Sequence, residues 1–113
     1  MKGTNLGEFE ELLMLMVANL YPEAYGVAIR EAIKEQAGRS VAMGAVHVAL
    51  SRLEDKGYLG SALAEATHER GGRRKRLFSI TSAGKKALEE NMELRNQLWS
   101  TVPELTWKNI QFG

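Results

Sequence analysis

The amino-acid sequence predicts a mainly α fold with a small β-wing: a winged helix-turn-helix followed by a long C-terminal helix. Three observations carry this expectation. Apolar residues recur at helical spacing in three stretches before Gly57 and in one long stretch after Thr81. Between them lie two segments of strand character, Tyr58 to Glu65 and Leu77-Phe78-Ser79-Ile80-Thr81, the second alternating apolar and polar residues. The loop joining them, HERGGRRKR from His68 to Arg76, carries five positive residues and one negative in a chain of net charge +1. Helix, strand, basic loop, strand is the order in which a loop can lie along a phosphate backbone while a helix enters the major groove. The plainer alternative for the charge run is a solvated hairpin tip.

Glu8 to Leu20 reads as the first helix, with Phe9, Leu12, Leu13, Met16 and Leu20 spaced as a buried stripe. Met14, Leu15, Val17 and Ala18 extend the apolar surface most of the way round, which predicts burial on two sides. One side is the domain's own core; the other is a second subunit or the C-terminal helix. Glu8, Glu10 and Glu11 crowd the first turn, where carboxylates favour the positive end of the helix dipole. Tyr25-Gly26 opens a second helix to about Ala37, with Ile29, Ala32 and Ile33 inward and Gly38 as its stop. Ser40-Val41-Ala42 is a short extended link to a third helix, from about Met43 to Lys56. Val46, Ala49, Leu50 and Leu53 give that helix a core face, Ala45, His47, Val48, Ser51 and Arg52 lie opposite, and Gly57 ends it.

Thr81 or Ser82 can cap the fourth helix, which runs until Pro103 halts it. Leu88, Met92, Trp99 and Val102 fall roughly on one line, interrupted by Arg95. Some 20 residues of helix span about 30 Å, more than one small core covers, so another surface is expected to bury this stripe. The tail from Glu104 to Gly113 still carries Leu105, Trp107, Ile110 and Phe112 and is expected to dock. These features divide the chain into a winged-helix domain, residues 1–81, and a C-terminal helix with its tail, residues 82–113.

Composition narrows the chemistry. The 113 residues suffice for one domain with a modest core. With 15 Lys and Arg against 14 Asp and Glu, no global attraction to nucleic acid or membrane follows, and the argument rests on where the charges sit. The chain has no cysteine and only His47 and His68 as imidazoles, so neither a disulfide frame nor a zinc site is expected, and no cofactor. No run reaches the roughly 18 apolar residues of a membrane span, and the start MKGTNLGEFEE lacks a signal-peptide core; the expected location is the cytoplasm. No nucleophile stands with a base at readable spacing and no glycine-rich loop precedes a helix, so an enzyme is not expected.

Four segments, LGEFEELLMLMV, AYGVAIREAI, MGAVHVALSRLEDKGYL and GGRRKRLFSITSAGKKAL, cover most of Leu6 to Leu88. In this order and spacing the chain resembles the PadR family of bacterial winged-helix transcriptional regulators. The resemblance implies a homodimer in which the fourth helix exchanges contacts with the partner's first helix. It also implies repression through a palindromic operator in double-stranded DNA, relieved by a small aromatic or hydrophobic effector. The sequence departs from the family where a Tyr-Pro pair is common in the third helix, having His47-Val48, and where a preceding Thr is common, having Ala45. Multidrug-responsive members stack a ligand on a tryptophan of the fourth helix; aligned from Thr81, that position falls nearer Arg95, about one turn before Trp99.

On this reading the DNA-binding candidates are Ala45, His47, Val48, Ser51 and Arg52 of the third helix and Arg73 and Lys75 of the wing. His47 has the alternative of a solvated helix residue, and Arg52 that of an ion pair with Asp55. Gly71-Gly72 would supply the tight wing turn. Strand alternation sets Arg74 and Arg76 with Phe78 and Ile80, making Arg74 a bridge to the body and leaving Arg73 and Lys75 for phosphate. Leu15, Leu88, Met92 and Trp99 are candidates for a dimer interface or ligand pocket; plain packing is the alternative for Trp99, Trp107 and the methionines. The rival class is an interaction module, whose winged helix serves protein contacts without an operator.

Overall fold

In the computed structural model, residues 6–65 and 74–110 are described. The elements follow as α1 (Glu8–Leu20), α2 (Gly26–Ala37), α3 (Met43–Asp55), β1 (Leu59–Leu63), β2 (Arg76–Ile80), α4 (Ser82–Ser100) and α5 (Glu104–Lys108). This is the mainly helical winged-helix architecture the sequence predicts. The expected wing turn at Gly71-Gly72, with His68 and Arg73, lies outside the described residues.

Local signals set most boundaries. Gly38 closes α2 at φ +66°, its N–H donating to the Lys34 carbonyl at 3.1 Å, in the left-handed conformation that costs glycine least. Gly57 repeats the device after α3 at φ +81°, so that the Tyr58 N–H turns back to the Leu53 carbonyl at 2.9 Å and the chain enters β1. β1 and β2 pair antiparallel, with Leu59 opposite Ile80, Ser61 opposite Phe78 and Leu63 opposite Arg76. The Phe78 N–H also donates to the Ala24 carbonyl at 2.8 Å, which fastens the hairpin to the segment between α1 and α2.

The core gathers Leu13, Met14, Met16 and Val17 of α1, Ile29 and Ile33 of α2, Val46, Leu50 and Leu53 of α3, Leu59 and Phe78 of the hairpin, and Leu88 of α4. The buried face of α1 is turned relative to the expected stripe. Met14 and Val17 are fully buried, whereas Phe9, Leu12 and Leu20 are only partly so. The cause is that α1 is packed by α4 and β2 as well as by α2 and α3, so its second buried side lies within the chain's own fold.

Thr81 joins three elements. Its hydroxyl accepts from the Gly84 N–H at 3.0 Å, capping α4, and donates to the Gly57 carbonyl at 2.6 Å; its N–H donates to the Tyr58 carbonyl at 3.1 Å. The first turn of α4 is thereby pressed onto the turn that ends α3, and a side chain at Gly84 would collide with the Tyr58 carbonyl oxygen.

The three glutamates at the start of α1 do more than face the helix dipole. Glu8 accepts from Arg39 Nη1 at 2.6 and 2.8 Å, while Glu10 accepts from Lys56 Nζ at 3.0 and 3.1 Å and from the Gly7 N–H at 3.1 Å. Glu11, whose side chain is 8% exposed, accepts from Arg95 Nη1 and Asn91 Nδ2, each at 3.0 Å. Arg95, an interruption of the α4 stripe in sequence, thus joins Asn91 in fastening α4 to α1.

Of the line Leu88, Met92, Trp99 and Val102, only Leu88 is buried; Met92 is 41% and Trp99 71% exposed. The tail forms α5, which has no buried residue and meets α4 through Trp107, whose ring lies 5.4 Å from that of Trp99. Among the described residues no helix is long and apolar enough to cross a membrane.

Candidate nucleic-acid interface

Burial of Val46, Ala49, Leu50 and Leu53 fixes the rotation of α3. At 100° per residue, Gly44, Val48 and Ser51 then lie at the middle of its outer face, Ala45 and Arg52 on the flank toward α1, and His47 on the flank toward α2. All are exposed. His47 stands beside the first residue of α2: a Cβ at Gly26 would come within 3.3 Å of His47 Cε1 and 3.1 Å of Met43 Cε. A side chain at position 26 would therefore need the Met43 and His47 tips to shift by a few tenths of an ångström.

The base of the wing reaches the same corner. Lys75 Nζ lies 4.2 Å from the centroid of the Tyr25 ring, a cation–π contact that holds the ammonium over the entry to α2. Tyr25, Gly26, Met43, His47, Lys75 and Arg76 share a cleft of about 340 Å³. On the α1 side of α3, a groove of about 550 Å³ is bordered by Phe9, Glu10, Gly44, Ala45, Val48 and Arg52. Burial alone would raise the Glu10 carboxyl; the Gly7 N–H, the Lys56 hydrogen bond and the charges of Lys56 and Arg52 outweigh it and hold the group below the usual glutamate range. Because its folded value is depressed, the stability it contributes is present above the unfolded value and lost as pH falls through the folded one.

Arg74, just before the wing's second strand, and Arg76, its first residue, both bond within the hairpin segment. Arg74 Nε donates to the Ala64 carbonyl at 3.0 Å, so its bridge reaches the neighbouring chain segment and not the helical body. Arg76 Nη1 donates to Ser61 Oγ at 3.0 Å, and that hydroxyl donates to Glu54 Oε2 at 2.6 Å, linking the wing to the last turn of α3. Among the described residues Arg52 forms no ion pair with Asp55. Arg73 lies outside the described residues.

The structure thus brings His47 and Lys75 together and sets Ala45, Val48, Ser51 and Arg52 along one exposed face. Tyr25, which sequence reasoning used only to open α2, proves to be the platform for Lys75; an aromatic residue directly before the glycine that starts a helix was the available signal. Leu15, Met92 and Trp99 are exposed, and Leu88 is buried in the core.

The family model described as the transcriptional regulator PadR-like family matches residues 13–90. The chain belongs to the PadR-like family. Among solved structures, a PadR-like transcription factor from Bacteroides fragilis is similar over 82% of this chain and 84% of its own, at 26% identity and a TM-score of 0.71. A PadR family transcription regulator from Clostridium difficile R20291 matches over 83% and 93%, at 23% identity and a TM-score of 0.66. A PadR-like transcriptional regulator from Bacillus cereus matches over 87% and 90%, at 19% identity and a TM-score of 0.67. At these identities the last two bear on the PadR-like fold alone. Comparison with curated protein sequences found no match.

Proposed function

We propose that this PadR-like regulator binds double-stranded DNA as a homodimer, with α3 in the major groove and the wing along the phosphates. The observation that carries the reading is the convergence of Lys75 and His47 at one corner of the exposed α3 face. A cation held over an aromatic ring keeps its outer N–H groups free for a phosphate oxygen and gives up little further side-chain freedom on binding. Arg73 and Lys75 are assigned to phosphate; His47, Ala45, Val48, Ser51 and Arg52 to the groove. Residues 1–81 then form the DNA-binding part, and 82–113 the dimerisation helix and tail. Within the family's pattern the chain acts as a repressor at a palindromic operator and is released by a small aromatic or hydrophobic effector.

The test is a salt titration on random duplex and on an operator selected from a random library. Lys75→Ala is expected to weaken both and to flatten the slope of log affinity against log salt by roughly 0.9 per contact, about 1.8 for two wings. His47→Ala is expected to cost about 1 to 3 kcal/mol on the operator and nearly nothing on random duplex. The rival reading, an interaction scaffold, draws on the few cations along α3; failure of the chain to bind any duplex at low salt would establish it.

Dimerisation is assigned to the distal half of α4, where Leu94, Leu98 and Trp99 stand in solvent, with Leu105 of α5 exposed as well. An exposed apolar surface of this kind marks an interaction site, and tryptophan is a common anchor. Sedimentation equilibrium at micromolar concentration is expected to give twice the 12.6 kDa chain mass; a monomer alone would remove the assignment.

A further inference from the structure

The middle of the outer face of α3 is apolar toward the helix start, at Gly44 and Val48, and polar one turn later at Ser51. Val48 is 54% exposed, Gly44 one turn earlier has nothing within 4 Å of where a side chain would begin, and Ala45 lies beside them. The adjoining groove is floored by Phe9 and Ala49. The carboxylates that border it, Glu8 and Glu10, are engaged by Arg39 and Lys56, which draws them toward those cations and away from the centre of the face.

We infer that Val48, with Ala45 beside it, reads the C5-methyl group of thymine, so that each operator half-site places a thymine opposite the middle of α3. The inference rests on the DNA-binding reading above and adds the base class to it. In the major groove the thymine methyl is the apolar feature, while guanine and cytosine present acceptors and a donor. Against an isopropyl group those polar edges lose water without gaining a partner, whereas a methyl group gains buried contact. The open space at Gly44 lets the base edge approach without a clash.

The experiment uses the whole chain and an operator selected from a random duplex library. Each thymine in turn is replaced by uracil, which differs only in lacking the methyl group. One position per half-site is expected to weaken binding about fourfold, and the two half-sites together about 15-fold, from the burial of one methyl at each. Val48→Ala, an exposed change that favours helix, is expected to bind the thymine and uracil operators nearly alike. An operator indifferent to uracil at every position overturns the inference, as does a full uracil penalty in Val48→Ala, while DNA binding itself stands. Absence of binding to any duplex would instead remove the DNA reading, and this inference with it.

Discussion

Gly84→Ala is expected to lower the melting temperature by about 10 °C, although the same exchange inside a helix normally adds about 0.5 to 1 kcal/mol of stability. The added methyl meets the Tyr58 carbonyl oxygen inside contact distance and lies 3.2 Å from Met14 Cε. Methionine can swing aside; the Tyr58 backbone cannot, because that carbonyl accepts the Thr81 N–H and its residue directly precedes β1. The first turn of α4 would have to lift, loosening the Thr81 cap and the packing of Ala87 and Leu88 together. Overpacking of this kind costs about 1 to 3 kcal/mol, at about 4 °C per kcal/mol for a domain of this size. Gly44→Ala is the control, since nothing lies within 4 Å there: it is expected to raise the melting temperature slightly. Equal melting of Gly84→Ala and the parent chain would contradict the close approach.

Arg95→Ala is expected to destabilise the chain by about 1 to 3 kcal/mol, below the roughly 3 to 5 kcal/mol for breaking a fully buried pair because Arg95 itself is 57% exposed. The loss comes from Glu11, whose carboxylate stays buried between α1 and α4 with Asn91 but without the guanidinium. Adding Glu11→Leu to Arg95→Ala removes the stranded charge and is expected to recover most of the loss, since an apolar side chain suits a site lined by α1 and α4. Denaturant unfolding of the two single variants and the double variant measures the coupling; simple additivity would show that Glu11 and Arg95 do not act as a pair.

What could be read in the sequence were features with local causes. Gly38, Gly57, Thr81 and Pro103 mark ends of helices because a positive φ, a capping hydroxyl or a missing N–H acts within one turn, and the structure places the boundaries there. The inward face of α3 was equally plain, since Val46, Ala49, Leu50 and Leu53 leave one rotation. Long-range pairing was not legible. Glu11 reads as one more acid in a first turn and Arg95 as a flaw in a stripe, yet 84 positions separate two groups in contact. The alternation argument for the wing did not foresee Tyr25: β2 begins at Arg76, the Lys75 carbonyl still accepts from the Ala64 N–H at 2.7 Å, and the Lys75 ammonium lies over the Tyr25 ring. The second buried side of α1, at Met14 and Val17, was legible as surplus apolar surface, but the share that β2 takes in covering it was not.

The weld at Thr81 makes α4 a lever. Its 19 residues extend about 28 Å from a fulcrum fixed to the end of α3 and the start of β1. A shift of about 1 Å at the Trp99 end therefore corresponds to a tilt of about 2° if the helix moves as a rod. Since Thr81 has bonds to both Gly57 and Tyr58, that tilt acts on the turn leaving α3 and, through Glu54, Ser61 and Arg76, on the hairpin. Because Asn91 and Arg95 also tie α4 to Glu11 of α1, a contact made far out on α4 would reach α3 and the wing as a small, shared rotation only as those bonds give way.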